Sequence, residues 1–312
     1  MKRYFAPLEG ITGYIYRNTF EEFFGGVDCY YSPFVVTRDS GIMKKKEMRD
    51  ILPENNEKYP LVPQLLTNRA ENFIQAAAQM ASLGYEEVNL NLGCPSGTVV
   101  SKSRGAGFLK DLDKLQFFLD EIFRKTPCAI SIKTRIGMEN PEEFYQILSL
   151  YNQYPIKELI IHPRTRSEFY KGTVHQEIFL YAYQNSRIPV CYNGDICTVE
   201  DYQKIEEAFD NLPAVMIGRG LIANPALALQ IQGKKAAKEQ LFSFQDTLLE
   251  RYREVMSGDI HALHKMKEVW IYMAPHFTNY EKYLKKIKKT NRLDEYKAAV
   301  YQLFQKEDWV TA

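Results

Sequence analysis

One cysteine in the stretch "NLNLGCPSGTVVSKSRGAGFL" (89–109) stands between a glycine and a proline. Pro95 has a fixed φ and confines Cys94 to extended backbone, while Gly93 relaxes the turn before it, so the thiol is held at one angle. A free thiol, with a pKa of about 8.5, is mostly protonated at neutral pH and serves as a proton donor at least as readily as a nucleophile. No Ser, His and Asp constellation of a hydrolytic triad accompanies it. A buried, inert cysteine is the alternative at this point. Lys133 and His162, each at the end of an apolar run, form a pair of potential cations that would neutralise the charge developing at N1 and O2 of a reduced isoalloxazine ring. The turns "YNGDI" (192–196) and "IGRGL" (217–221) offer glycine-opened amides before a helix start, with Arg219 as a charged donor, an arrangement suited to a phosphorylated ligand.

These residues need a scaffold that brings them to one rim. Short β-rich runs at 3–8, 27–35, 60–66, 86–92, 128–134, 158–163, 188–193 and 213–218 alternate with helical stretches such as 68–84, where apolar positions recur at helical spacing and a glycine closes the end. Eight such units point to a (β/α)₈ TIM barrel. A doubly wound sheet would carry GxGxxG after its first strand, and "APLEGITG" does not. The polar residues following the runs then share one rim: Glu9, Gln64, Asn91, Cys94, Lys133, Arg135, His162, Arg164, Asn193, Asp195, Gly218 and Arg219. From about residue 235 the pattern is helical throughout, so residues 1–234 are assigned to a catalytic barrel and 235–312 to a smaller all-helical domain.

Composition narrows the classes. The 312 residues carry a formal net charge of +1, so attraction to a polyanion must come from local patches. No run approaches the roughly 20 apolar residues that span a bilayer, and no secretory leader is evident. Five cysteines lie scattered without CxxC or zinc-ligand spacing. A cytoplasmic protein with reduced thiols, no bound metal and no membrane partner is expected, acting as a monomer.

In order and spacing, "APLEGIT" (6–12), "PQL" (63–65), "NLNLGCP" (89–95), "SIKTR" (131–135), "IHPRTR" (161–166), "NGDI" (193–196) and "IGRG" (217–220) resemble the tRNA-dihydrouridine synthases. The resemblance implies FMN as cofactor, NADPH as its reductant, and reduction of uridine to 5,6-dihydrouridine in tRNA, with ribosomal RNA as the other structured substrate to consider. It implies hydride transfer to uracil C6, Cys94 as the acid at C5, and Asn91 as the residue holding the base. Pro7, Leu8, Glu9, Gln64, Lys133, His162, Asn193, Gly194, Asp195, Gly218 and Arg219 match the FMN-contact positions. The family usually reads a Met-Ala pair where Leu8 and Glu9 stand, and glycine where Pro163 stands. An RNA must also be gripped outside the pocket. Lys282, Lys285, Lys286 and Lys289 share one face of a helix in "YEKYLKKIKKTNR", Lys102, Arg104 and the run "MKKKEMR" (43–49) extend a phosphate track, and Arg135 and Arg164 on the rim are assigned to the substrate. Two other readings stand beside this one: a flavin barrel acting on a free pyrimidine, such as a dihydroorotate or dihydropyrimidine dehydrogenase, and an RNA-binding relative without activity.

Overall fold

A proline inside a strand removes one N–H from the ladder, and two such breaks shape the sheet. The computed structural model describes residues 1–37 and 45–310. Its strands are β1 (Lys2–Phe5), β2 (Cys29–Tyr31), β3 (Val35–Val36), β4 (Leu61–Val62), β5 (Gln64–Leu66), β6 (Glu87–Leu92), β7 (Ala129–Arg135), β8 (Leu159–His162), β9 (Val190–Tyr192) and β10 (Ala214–Ile217). They lie in the order β3-β5-β6-β7-β8-β9-β10-β1-β2-β4. Only Pro63 separates β4 from β5, and Ser32, Pro33 and Phe34 separate β2 from β3. β2 pairs with β4, and β3 with β5, both in parallel. The two ends of the strand order are therefore halves of the same two staves, and eight staves close into a ring. Lys2 N donates to Pro213 O at 2.9 Å where the first stave meets the last. All eight strand expectations are met, with the second and third staves interrupted.

Helices cover the ring as their apolar spacing requires. In Ala70–Ser82, Phe73, Ala76, Ala77 and Met80 are buried at i, i+3, i+4 and i+7, and Gly84 takes φ +92° just past the end. Phe73 meets Phe118 of the helix Leu112–Lys125 edge-on at 5.9 Å. Each fully buried side chain of this size contributes about 1.5–3 kcal/mol.

The chain forms two compact units: residues 1–7, 28–194 and 208–216, and residues 8–27, 195–207 and 217–312. The first holds nearly all of the barrel strands. The second contains the helices Tyr14–Phe23, Lys238–Val255, Asp259–Met273, Glu281–Lys289 and Leu293–Lys306, so it draws on more than the residues after 235. Its core surrounds Trp270, whose Nε1 donates to Tyr296 Oη at 2.7 Å and whose ring lies near Phe277 and Phe304. Phe244 receives Tyr16, Phe23 and Phe24 at ring distances of 5.8, 6.1 and 5.3 Å.

At the N-terminal ends of the barrel strands, Glu158 accepts from Tyr4 Oη at 3.1 Å and Tyr31 Oη at 3.4 Å. Burial, aided by the nearby Glu87 carboxylate, pushes Glu158 up from 4.5 to about 7. Between those values the folded state holds the proton that the unfolded state has released, so stability falls as pH rises through this window. Glu158→Gln is expected to raise stability by about 1–2 kcal/mol at pH 8 and to give no gain at pH 4.5. Thermal melts at the two pH values measure this, and an equal gain at both would remove Glu158 as the cause.

Candidate active site

Side chains that alternate along β6 and β7 make one side of the barrel lumen polar. Register places Gln64, Asn89 and Ser131 at one level, Asn91 opposite Lys133 two residues higher, and Arg135 opposite His162 above that. Val88, Leu90 and Leu92, and Ile130 and Ile132, take the alternate positions and are buried. The β-rich runs 86–92 and 128–134 therefore carry a hydrophilic row.

The cysteine turn is held by this row. Asn91 Oδ1 accepts from Gly93 N and Cys94 N, both at 3.0 Å, an Asx turn that fixes the backbone. Asn91 Nδ2 donates to Gln64 Oε1 at 2.7 Å. Arg135 Nε donates to Gly93 O at 2.9 Å, and Ala106 N donates to Cys94 O at 3.1 Å. Gly105, at φ +55°, lets the following segment approach: a Cβ there would meet Cys94 O at 2.9 Å. Gly93 does not adopt the left-handed backbone, so Asn91, more than glycine freedom, shapes the turn. Cys94 is half-buried.

Lys133 Nζ donates to Asn193 Oδ1 at 2.6 Å, and Asn193 Nδ2 donates to Met216 O at 2.8 Å. Burial and then the Arg135 charge push the Lys133 ammonium down to about 8. Among the described residues no carboxylate pairs with it, so it is a half-buried cation suited to an anionic ligand group. His162, the other residue of the expected cation pair, is buried at the end of β8. Arg164 Nη1 lies 3.2 Å from the His162 Nε2.

Arg135 and Arg164, assigned to the substrate, are both buried and braced on backbone oxygens. Arg135 Nη1 donates to Thr165 O at 2.7 Å, while Arg164 donates to Lys171 O at 3.2 Å and Gly172 O at 2.6 Å. They hold the loop after β8 in shape. That loop carries Tyr170, about half exposed, stacked on His162 at 6.0 Å and facing the Arg135 guanidinium at 5.2 Å. Sequence reading did not single out Tyr170. The signal available was its place eight residues after His162, in a loop rich in charge.

Gln64 and Asn91 also lie deeper than their expected ligand contacts suggest. Gln64 has no accessible surface, and Asn91 is buried with both oxygen lone pairs taken. Each keeps one amide N–H beyond the bonds described. Gly194 is buried, and a Cβ there would meet Val174 Cγ1 at 2.9 Å. Pro7 is half-buried.

In the second unit, Arg219 pairs with Asp195 at 2.7 Å, so these two engage each other. The amides of Cys197 and Thr198 donate to Asp201 Oδ2, both at 3.0 Å, which caps the helix Val199–Ala208 and removes those amides from a phosphate site. Gly218 precedes the short helix Arg219–Ala223, in which a Cβ on Gly220 would lie 2.1 Å from Ile196 O. Leu8 N donates to Thr12 Oγ1 at 2.8 Å, and Glu9 is exposed.

Of the surface cations, Lys285, Lys286 and Lys289 are exposed on the helix Glu281–Lys289, while Tyr283 and Ile287 are buried. Lys282 departs from that track: its Nζ pairs with Glu307 at 3.0 Å. Asn279, Lys282 and Thr278 together hold the Glu307 carboxyl down to about 2. Lys102 is exposed, and Arg104 Nε reaches Asn68 Oδ1 at 3.4 Å. Of the basic run 43–49, residues 43 and 44 lie outside the described residues; Lys45–Arg49 is a short helix.

A family model described as "Dihydrouridine synthase (Dus)" matches residues 4–311. The chain belongs to the dihydrouridine synthase family. It is 29% identical over 252 residues to the tRNA-dihydrouridine(16) synthase of Pseudomonas putida, covering 78% of this chain and 77% of that protein. It is 26% identical over 281 residues to a probable tRNA-dihydrouridine synthase of Staphylococcus aureus, covering 85% and 83%. Among solved structures, morphinone reductase superposes with a TM-score of 0.53 at 13% identity, covering 75% of this chain and 86% of that one. At that identity the likeness concerns the barrel fold. For this member of the dihydrouridine synthase family, the ordered cysteine turn and the unneutralised Lys133 are the features on which a functional reading rests.

Proposed function

We propose that the protein reduces uridine to 5,6-dihydrouridine in tRNA, in the cytoplasm and as a monomer, using FMN and NADPH. The observation that carries this reading is the family match over residues 4–311 together with a Cys94 turn anchored at four backbone atoms. The donor set suits a flavin in one specific respect: Lys133 is a half-buried ammonium with an amide partner and no carboxylate among the described residues. Lys133, Asn193 and His162 would hold the ring system, with Pro7, Leu8, Glu9, Gln64, Gly194, Asp195, Gly218 and Arg219 assigned to FMN by resemblance. When bound, FMN supplies hydride to uracil C6, with NADPH as the source of electrons.

The chain's own residues supply the rest. Addition at C6 builds negative charge toward O4, and the Cys94 thiol gives its proton to C5, leaving a thiolate that solvent reprotonates. The second N–H of Asn91 is the donor proposed to hold the base. A base inside RNA must leave its stack to reach a thiol in a barrel mouth. Lys102, Arg104, Lys285, Lys286 and Lys289 would take phosphates, which makes binding salt-dependent.

The test is incubation of purified, yellow protein with NADPH and unmodified tRNA transcripts, with dihydrouridines mapped by sequencing. RNA from a deletion strain, with and without the gene restored, is mapped in parallel. Dihydrouridine in tRNA that depends on the gene is expected. Gene-dependent sites confined to ribosomal RNA, or turnover of free uracil without RNA, would overturn the reading.

A further inference from the structure

The acid role of Cys94 explains the rim but leaves the level beneath it without a task. Three polar side chains from adjacent staves are linked there, and a fourth, Ser32, meets the Gln64 backbone. Gln64 N donates to Ser32 Oγ at 3.0 Å, Gln64 Nε2 to Asn89 Oδ1 at 2.8 Å, and Asn89 Nδ2 to Ser131 Oγ at 2.9 Å. Ser32, Gln64, Asn89 and Ser131 have no accessible surface. Barrel interiors are ordinarily filled by Val, Ile and Leu, and a buried amide left unpaired is costly, so a fully linked polar row has a role beyond filling space.

The direction of the bonds gives that role. Gln64 can present Oε1 to Asn91 only while its Nε2 end is held elsewhere, because an amide rotated by half a turn would point a donor at a donor. Asn89 Oδ1 holds that end. With Gln64 oriented, Asn91 Nδ2 is fixed, and Asn91 Oδ1 is then turned to receive Gly93 N and Cys94 N. We infer that Asn89 is a positioning residue for Cys94, acting through Gln64 and Asn91 on the backbone that aims the thiol. The inference rests on the proposed acid role for its catalytic consequence, but not for its structural one.

Two replacements separate hydrogen bonding from packing. Asn89→Leu keeps the branched shape and the number of side-chain heavy atoms and removes both bonds. Asn89→Asp keeps both: its oxygen accepts from Gln64, and the Ser131 hydroxyl turns to donate to a carboxylate or accepts from a carboxyl. The full-length flavoprotein is treated with iodoacetamide, and alkylation is resolved by peptide mass spectrometry, with the exposed Cys197 as internal reference.

Asn89→Leu is expected to raise Cys94 alkylation relative to Cys197 by about fivefold, and to lower kcat for dihydrouridine formation by roughly tenfold with KM for tRNA within about twofold. Asn89→Asp should restore both to near the native values. A folded Asn89→Leu protein with native alkylation and native kcat overturns the inference, as does equal impairment of the two variants, which would make packing the cause. If the native protein forms no dihydrouridine, the functional reading fails, and the alkylation ratio alone still decides the positioning role. Should Asn89→Leu not fold, Ser131→Ala cuts the far end of the row and is expected to shift alkylation in the same direction, by about twofold; no shift overturns the inference.

Discussion

Replacing Cys94 by alanine is expected to lower dihydrouridine formation by roughly 10²–10⁴-fold, the range a positioned general acid contributes, while leaving flavin content and its reduction by NADPH within about twofold. The separation follows from the geometry. The turn is fixed by Asn91, Arg135 and Ala106 through backbone atoms of residues 93 and 94, and none of those bonds uses the sulfur. Alanine therefore removes the proton donor and keeps the loop. Cys94→Ser is expected to be nearly as slow, since a hydroxyl gives up its proton far less readily than a thiol of pKa about 8.5. Single-turnover mixing of pre-reduced protein with tRNA measures the step directly. A Cys94→Ala rate within about threefold of native would place the acid elsewhere.

Lys133→Met is expected to weaken flavin binding by about 10–100-fold at pH 7, the equivalent of losing one hydrogen bond from a charged donor. The pH dependence gives a sharper readout. With its ammonium pushed down to about 8 by burial and the Arg135 charge, Lys133 loses its proton between pH 7 and 9, so flavin affinity should fall across that interval in the native protein and stay flat in the variant. Stability of the flavin-free protein moves the other way. The unfolded chain, with its lysine near 10.5, holds the proton that the folded chain has lost between pH 8 and 10.5, so native stability gains from Lys133 as pH rises through that range. Fluorescence titration of FMN at pH 7 and 9, with melts of the apoprotein, measures both. A native affinity unchanged between the two pH values would remove Lys133 as the anionic subsite.

The eight staves were legible because each is a short apolar run bounded by turn residues, and the interruption at Pro63 follows from the missing N–H alone. Cys94, Lys133 and Asn91 were legible as rim residues by their place after those runs. The polar row was not. Asn89 and Ser131 sit inside stretches dominated by Val, Leu and Ile, and their partners lie 25 and 42 positions away in the chain. The bracing roles of Arg135 and Arg164 were hidden for a different reason: their acceptors are backbone oxygens, which leave no mark on the sequence. Lys282 shared the spacing of its neighbours, and only the fold brings Glu307 to it. Asn91 is the instructive intermediate. An asparagine four residues before a proline, able to accept from the amides two and three residues on, is a readable local pattern.

The helix Tyr14–Phe23 belongs to the same compact unit as the helices at the other end of the chain, with Phe244 against three of its neighbouring aromatic rings and Arg251 bonded to Thr19 and Glu22. During translation this segment leaves the ribosome early, and Tyr16 waits for Phe244 until more than two hundred further residues have been synthesised. A nascent chain in that state offers a greasy amphipathic helix to chaperones. A gene fragment starting at residue 235 would likewise express a bundle missing one wall.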